Sequence, residues 1–288
     1  MPQKSEVTPI DYKEHISHAL DYIEEHLPED MDNALLARVT GYSEYHFLRV
    51  FKETVKLTPA DYIRKRRLTE IAKRLVTEQR SAAELAFAYG FNSKENFSRA
   101  FKAEHGILPT EFKKAFNSLK LYPRKCFDVL PLTPKATVLE LELFRLVAYR
   151  SDASFPPCFW NKYNAKKWSK RLSGGTVVED IGAGLWDEKE QKLAYYIGIP
   201  EQFAKGDLTG TVTIDISGGL YACFETPPST TFDFVNTIHR TWEYISAVWL
   251  PENGYERTGG YEFEAYTEES RTFSERIYIP LKKRGELI

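Results

Sequence analysis

The stretch Ala83-Glu84-Leu85-Ala86-Phe87-Ala88-Tyr89-Gly90-Phe91 has a second copy earlier in the chain, Ala34-Leu35-Leu36-Ala37-Arg38-Val39-Thr40-Gly41-Tyr42. After one inserted residue in the later copy, Ser43 to Lys52 aligns with Ser93 to Lys102 in the same order. An order that is kept over about thirty positions indicates a duplicated structural unit. This repeat decides how the first part of the chain is expected to fold.

Each copy has the pattern of a helix, a glycine turn and a second helix. Gly41 and Gly90 supply the positive φ that ends the first helix. Ser43 and Ser93 are favourable N-cap residues for the helix that follows. Phenylalanines four residues apart then fall on one buried helix face: Phe47, Phe51, Phe97 and Phe101. The pattern therefore predicts two helix-turn-helix units, whose second helices enter the DNA major groove.

Two further helices complete an all-α domain. An amphipathic first helix is marked by Ile16, Leu20, Ile23 and Leu27. A helix that starts at Thr58-Pro59-Ala60-Asp61 has proline in its first turn and an acid near the positive end of the helix dipole. It continues to Leu75 and links the two units as a rigid spacer. Such a spacer matters because adjacent major grooves lie about 34 Å apart on B-DNA.

The distribution of charge supports a DNA-binding role for this region. The formal net charge of the chain is −2, but residues 33–118 carry +7 and residues 1–32 carry −7. The rest of the chain carries −2. A compact basic block is the electrostatic pattern expected of a phosphate-binding surface.

The second copy resembles the AraC/XylS family of bacterial regulators. The residues that carry the resemblance run from Ile71-Ala72 through Ser81-Ala82-Ala83-Glu84-Leu85-Ala86, and then include Gly90-Phe91-Asn92-Ser93, Phe97-Ser98-Arg99-Ala100-Phe101-Lys102, Gly106 and Pro109-Thr110. The resemblance covers roughly residues 10–116. It implies a DNA-binding domain that acts as a monomer, with recognition helices at residues 43–54 and 93–104.

The resemblance also assigns the residues that face the bases. These are Tyr45, His46 and Arg49 in the first unit, and Lys94, Glu95 and Arg99 in the second. Arg49 and Arg99 are suited to bidentate pairing with guanine. Phosphate contacts, which give affinity without sequence information, are predicted for Lys52, Lys102 and the run Arg64-Lys65-Arg66-Arg67. The alternative for each basic residue is a solvated helix face.

The second half of the chain changes from helical to alternating periodicity. A proline-containing linker at residues 117–135 separates the DNA-binding domain, residues 1–116, from a second domain at residues 136–288. Leu139, Leu141 and Leu143 begin a strand that extends to about Tyr149. A helix around residues 158–172 and strands near 177–186 and 193–199 follow; then come a strand at 211–225, a helix at 231–249 and strands near 261–267 and 275–281. We predict an α+β domain built from a duplicated β-α-β-β unit.

This domain resembles the gyrase-inhibitor-like effector-binding domain. The residues that carry the resemblance are Gly219-Leu220-Tyr221-Ala222-Cys223-Phe224, Trp249-Leu250-Pro251-Glu252-Asn253-Gly254-Tyr255-Glu256, Tyr261-Glu262-Phe263-Glu264-Ala265-Tyr266 and Ile277-Tyr278-Ile279-Pro280. The resemblance implies a pocket between the two halves that accepts hydrophobic cations, with Glu264 at its base. The order of the two domains resembles the plan of Rob-like regulators.

The physical chemistry of Glu264 is compatible with that role. Glu262, Glu264 and Tyr266 alternate along a strand and share one face. If that face lines a cavity, aromatic rings offer cation–π surfaces and the buried carboxylate needs a partner such as an arginine or a water. Further candidates for the pocket wall are Tyr149, Tyr221, Trp249 and Tyr278. A solvated strand face and ordinary core packing remain the alternatives.

Three functions follow from these patterns. The first is a ligand-responsive regulator that binds double-stranded DNA as a monomer, a small-molecule effector and RNA polymerase. The second is implied by the resemblance alone, since some stand-alone relatives of the effector-binding domain look like hydrolases of reactive small molecules; Glu264 and either Tyr266 or Tyr221 would then be the acid and the electrophile-stabilising group. The third is a ligand-free protein-interaction module. We expect the regulator and no enzymatic activity, because no nucleophile–histidine pair or phosphate-binding loop is present.

Composition limits the remaining classes. No run of eighteen apolar residues and no apolar signal segment occurs, which predicts a cytoplasmic protein without a membrane anchor. The three cysteines, Cys126, Cys158 and Cys223, are widely spaced and indicate reduced thiols, with no metal site and no disulfide. We expect no cofactor.

Overall fold

The structure is a computed structural model that describes residues 12–115, 121–127, 132–151, 156–187, 191–230, 233–267 and 273–285. The chain divides into two compact units, which we call the N-terminal unit (residues 1–97 and 124–130) and the C-terminal unit (98–123 and 131–288). The division falls between Phe97 and Ser98, inside a helix of the second helix-turn-helix. The end of that helix therefore packs with the C-terminal unit.

The N-terminal region is helical, as predicted. Its helices are α1 (Tyr12–Glu25), α2 (Asn33–Thr40), α3 (Glu44–Val55), α4 (Pro59–Thr77), α5 (Ala82–Ala88), α6 (Lys94–His105) and α7 (Pro109–Ala115). Helices α2 and α3 form the first helix-turn-helix, and α5 and α6 the second. The buried faces are the predicted ones, since Ile16, Phe47 and Phe51 are fully buried.

The turn chemistry read from the repeat is confirmed. Gly41 and Gly90 have φ of 72° and 78°. The Ser43 hydroxyl accepts the N–H of His46 at 3.4 Å, and the Ser93 hydroxyl accepts the N–H of Asn96 at 3.1 Å. Each serine satisfies one of the backbone donors that a helix N-terminus leaves unpaired.

The predicted linker is described for residues 121–127, while residues 117–120 and 128–131 lie outside the described part. Leu121 is buried. Within the N-terminal unit, Arg124 forms an ion pair with Asp21, and the backbone N–H of Lys125 donates to the Tyr62 hydroxyl at 3.2 Å. These contacts hold residues 124 and 125 against α1 and α4.

The C-terminal unit contains an antiparallel sheet. Its strands are β1 (Lys135–Leu141), β2 (Phe144–Arg150), β3 (Asp180–Asp187), β4 (Lys192–Pro200), β5 (Val212–Ile216), β6 (Gly219–Glu225), β7 (Tyr255–Arg257), β8 (Glu262–Tyr266) and β9 (Arg276–Lys283). The order across the sheet is β1-β6-β9-β8-β3-β4-β2-β5, and β7 pairs with β9. The predicted α+β class is confirmed.

The two long strands predicted near 139–149 and 211–225 are each bent into two. Strand β1 pairs with β6 and β2 pairs with β5, and the register Leu141 with Gly219 continues as Phe144 with Ile216. A Cβ on Gly218 would lie 2.8 Å from the backbone N of Leu143, so only glycine permits this close approach. The pairing thus keeps one register from the β1–β6 pair to the β2–β5 pair. The β1–β6 pair nevertheless lies at one end of the sheet and the β2–β5 pair at the other.

Helices cover the sheet at two places. Helices α8 (Pro156–Ala165) and α9 (Trp168–Ser173) replace the single predicted helix, because Lys167 between them adopts φ of 54°. Helix α10 (Phe234–Tyr244) continues as a π-helical turn to Trp249. The first helix pair packs on β2 and β4, and α10 packs on β6, β8 and β9. In the described residues, no helix combines the length and the apolar character that crossing a membrane requires.

Candidate nucleic-acid interface and ligand pocket

Helix α3 presents most of its predicted base-contacting residues to solvent. The Tyr45 side chain is 81% exposed, and the Arg49 side chain is half exposed. Arg49 lies 3.4 Å from the His46 ring and 3.8 Å from the Glu53 carboxylate, weak contacts that a base or phosphate can replace. His46 is half-buried against the Tyr42 ring, with centroids 4.7 Å apart, so part of its role is to support α3.

Helix α6 presents its predicted set in the same way. Lys94, Glu95 and Arg99 are exposed, as is Lys102 one turn further on. On the opposite side of the helix Phe97 and Phe101 are buried, which fixes the helix rotation. The same pattern in α3 and α6 follows from the sequence repeat.

The basic run on α4 requires a correction. Arg66 is 3% exposed and binds Glu24 through two hydrogen bonds of 2.7 and 2.9 Å and Glu70 through one of 3.0 Å. Burial acts to lower the pKa of Arg66, but Glu24 more than offsets it and the pKa is raised. Arg66 is therefore a buried structural cation and not a phosphate contact.

Arg67 is also engaged internally, because it donates to the carbonyl oxygens of Leu27 and Glu29 at 2.7 and 2.6 Å. Arg64 is exposed in an ion pair with Asp61, and Lys65 is half-buried. Four consecutive residues of a helix cannot share one face, since each step rotates by about 100°. The phosphate prediction is thus kept for Arg64 and Lys65 only.

The C-terminal unit contains a cavity of about 260 Å³ between α8 and α10. Its walls are mainly apolar and aromatic, and two acidic residues of β8 reach it. The lining residues are Pro156, Pro157, Trp160, Gly182, Gly184, Leu193, Tyr195, Val235, Ile238, His239, Trp242, Glu262, Phe263 and Glu264. A concave, mostly apolar site with a few polar groups is typical of small-molecule binding.

Glu264 is the most buried acid of this cavity, with 8% of its surface exposed. Its Oε1 accepts the Trp160 indole N–H at 2.6 Å and the Tyr195 hydroxyl at 2.5 Å. Burial and the Glu264 charge raise the pKa of Tyr195 well above its usual value, so this hydroxyl stays protonated as a donor. Two neutral ring donors are thus partners of this buried carboxylate.

Gly182 on β3 lies directly across from Glu264 on β8. A Cβ at Gly182 would lie 2.3 Å from the Tyr195 hydroxyl and 2.8 Å from the Trp160 ring. Absence of a side chain here is what lets the two donors reach the carboxylate. Glu262 accepts Arg257 at 2.6 Å, yet burial raises the pKa of Glu262.

The other predicted wall residues do not line this cavity. Tyr266 shares the face of Glu264 but is buried against Phe234. Trp249 packs under α10 against Phe224. Tyr149 stacks on the Trp168 ring, with the ring centroids 4.2 Å apart. Tyr221 and Tyr278 lie on the opposite face of the sheet with Phe263. Tyr278 there lines a different cavity of about 430 Å³. Strand alternation places residues 263 and 264 on opposite faces, which separates these aromatics from Glu264.

Sequence reasoning missed the residues that contact Glu264 and form the opposite wall. Trp160 and Tyr195 lie 104 and 69 positions before Glu264, and no local pattern links them. A signal existed on α10, where Val235, Ile238 and Trp242 follow helical spacing. The sequence predicted this helix but did not assign its face to the pocket, and the structure places its outer edge, with His239, in the cavity wall.

Together, two helix-turn-helix units and a domain with a mostly apolar cavity define a DNA-binding regulator with a separate small-molecule-binding domain. Comparison with known proteins gives the same result. Residues 36–115 match the family described as a helix-turn-helix domain, of the AraC type, and residues 137–282 match the GyrI-like small molecule binding domain. The chain belongs to the AraC-type transcription regulators that carry a C-terminal GyrI-like domain.

Several known proteins are similar to part or most of this chain. Transcriptional regulator Rob of Salmonella typhimurium is 25% identical over 280 residues, which cover 89% of this chain and 92% of Rob. The uncharacterized HTH-type regulator YbfP of Bacillus subtilis is 34% identical over 112 residues, so the match spans only 38% of either protein. A solved AraC-type regulator from Chromobacterium violaceum is 24% identical, with a TM-score of 0.34, covering 35% of this chain and 90% of that one.

Proposed function

We propose that this chain is a cytoplasmic regulator that binds two adjacent major grooves as a monomer, contacts RNA polymerase and responds to a small hydrophobic cation. The observation that carries the ligand class is Glu264, a carboxylate on the floor of an aromatic cavity in the C-terminal unit. A cation placed there gains charge attraction from Glu264 and cation–π contacts from the surrounding rings. The two recognition helices in one chain remove the need for a dimer on DNA.

We expect Glu264→Gln to weaken the binding of benzyltrimethylammonium by about 10- to 100-fold, or roughly 1.4–2.8 kcal/mol. The glutamine oxygen still accepts Trp160 and Tyr195, so the change removes the charge and keeps the shape. Tryptophan fluorescence is suited to this titration because Trp160 and Trp242 line the cavity.

The matched ligand is neopentylbenzene, which has the same shape with carbon in place of the charged nitrogen. Its affinity is expected to change little between wild type and Glu264→Gln. Equal losses for both ligands would show that the variant damages the cavity rather than its charge. Binding of anions or neutral amphiphiles, independent of Glu264, would contradict the cation class. If no cation, anion or neutral amphiphile binds, the protein-interaction module is favoured.

On the DNA side, Arg49→Ala and Arg99→Ala are expected to cost about 1–3 kcal/mol of discrimination, each at one base position. Lys52→Ala is expected to weaken binding of all sequences alike. It is also expected to reduce the slope of log affinity against log salt concentration by about one, because one counterion fewer is released. The measurement is a selection from random duplexes followed by affinity titrations at several salt concentrations. An unchanged base preference in Arg99→Ala would remove this residue from the readout.

A second candidate, hydrolysis of a reactive small molecule, is favoured by one observation. The Tyr195 hydroxyl lies 2.5 Å from the Glu264 carboxylate. These two groups together form the acid and electrophile-stabilising pair that such a reaction needs. Tyr195 replaces Tyr266 and Tyr221, which were predicted for that role. Mass spectrometry of each ligand after prolonged incubation decides the point, since turnover that Glu264→Gln abolishes would establish an enzyme.

A further inference from the structure

Helix α8 forms one wall of the cavity and also packs against the turn that ends α6. The Cys158 thiol donates to the carbonyl oxygens of Ala103, at 3.4 Å, and Glu104. These carbonyls belong to the last turn of α6, where helix geometry leaves backbone acceptors unpaired. The cavity wall and the end of the second recognition helix are thus joined by direct hydrogen bonds inside the C-terminal unit.

The backbones meet closely at Gly106. This residue ends α6 with φ of 75°, and its N–H donates to the Lys102 carbonyl at 2.8 Å. A Cβ at Gly106 would lie 2.5 Å from the carbonyl oxygen of Cys158. Because there is no gap between these two backbone segments, α8 cannot move toward the turn at Gly106 without displacing that turn.

The other end of α8 is also linked to the helix-turn-helix. Just beyond α8, Lys166 forms an ion pair with Glu111 of α7 at 3.3 Å. The second oxygen of Glu111 accepts the N–H of Leu108 at 2.9 Å, in the loop between Gly106 and α7. Helix α8 is therefore connected to both sides of the turn at 106–108.

On the cavity side, α8 contributes Pro156, Pro157 and Trp160. Trp160 donates to Glu264 only two residues after Cys158, so both contacts lie on one short helical segment. The cavity of about 260 Å³ is slightly below the usual range for ligand sites, about 300–1,000 Å³. A ligand larger than the cavity either extends out of it or displaces a wall, and a ligand that binds the Oε1 of Glu264 competes with Trp160 for that oxygen.

Resting on the proposed function, we propose that α8 transmits the occupancy of the cavity to the second recognition helix. Displacement of Trp160 from Glu264 shifts α8, and the Cys158 and Lys166 contacts carry the shift to the turn that ends α6. Arg99 on α6 then changes its position for base contact. Helix α8 is thus a positioning element, and the affinity for DNA is the property that it changes.

The first test needs no ligand. Trp160→Phe removes the donor to Glu264 on α8, and Trp186→Phe makes the same substitution at an exposed tryptophan of β3 that does not line the cavity. We expect Trp160→Phe to change the DNA dissociation constant by at least about three-fold and Trp186→Phe to leave it unchanged. In a Cys158→Ala, Lys166→Ala background the effect of Trp160→Phe is expected to disappear. An undiminished effect in that background, or equal effects of both Phe variants, would overturn the proposal.

The second test uses benzyltrimethylammonium on the full chain, with DNA selected by the wild-type protein. Cys158→Ala, Lys166→Ala is expected to bind the cation normally while the ligand-induced change in DNA affinity falls from about five-fold or more to less than about two-fold. Cys223→Ala, another buried thiol of the same unit, is the matched control and keeps the full response. Failure of the cation to bind contradicts the ligand class, whereas binding with an intact response in the double variant contradicts the relay.

Discussion

Replacing Arg66 by alanine is expected to lower the free energy of unfolding of the N-terminal unit by about 3–5 kcal/mol. The guanidinium is buried and binds both oxygens of Glu24, which also accepts the Tyr62 hydroxyl at 2.9 Å. Its removal leaves a carboxylate that is 10% exposed without its cation. The cost of that uncompensated charge is far greater than the net stabilisation that a typical ion pair provides.

Urea unfolding followed by circular dichroism at the helical band measures this effect. The matched control is Arg64→Ala, two positions away on the same helix, whose exposed ion pair with Asp61 is expected to contribute about 0–1 kcal/mol. The five tryptophans all lie in the C-terminal unit, so their fluorescence follows that unit separately. A loss in Arg66→Ala no greater than in Arg64→Ala would show that the buried pair is not structural.

Trp160→Ala is expected to destabilise the C-terminal unit by about 3–5 kcal/mol, because it creates a cavity in the core and removes a donor to a buried carboxylate. The indole has no exposed surface and packs edge-on against Tyr163 and Tyr266, with centroids 5.9 and 6.3 Å away. It is also the wall between core and cavity, so ligand binding is expected to be lost in the same variant.

The remaining four tryptophans report the unfolding transition in urea, and benzyltrimethylammonium reports the cavity. Trp186→Ala is the control, since this side chain is about half exposed on β3 and its loss is expected to change stability by less than about 0.5 kcal/mol. Trp160→Phe separates the two roles, because it keeps most of the packing and loses only the donor. Equal stability of Trp160→Ala and Trp186→Ala would contradict the central position assigned to Trp160.

Local chemistry explains why the helix-turn-helix units were predictable. Glycine at the left-handed position of Gly41 and Gly90, and serine caps at Ser43 and Ser93, act within a few residues of themselves. The strand pattern of the second half was also local, so the duplicated β-α-β-β order was found. The bend between β1 and β2 was not, because it depends on the close approach of Gly218 from a strand about 75 positions away.

Only Glu264 of the predicted pocket set lines the cavity, and that residue came from a resemblance rather than from spacing. Tyr221 and Tyr278 were chosen as aromatic residues on strands, but alternation places them on the other face of the sheet. Tyr149 and Trp249 are core residues under the helices. Which side of a strand faces a cavity depends on where the covering helices leave a gap.

The sequence by itself determined the class of this protein: paired recognition helices, a basic DNA-binding region, and a second α+β domain with an acid on strand β8. It did so because periodicity, capping and charge segregation are properties of neighbouring residues. The tertiary structure decided which charged side chains are buried in internal contacts and which can reach DNA or a ligand. It buried Arg66 against Glu24, brought Trp160 and Tyr195 to Glu264, and joined α8 to the end of α6. These pairs are far apart in the chain, so only the folded packing of helices and strands brings them within hydrogen-bonding distance.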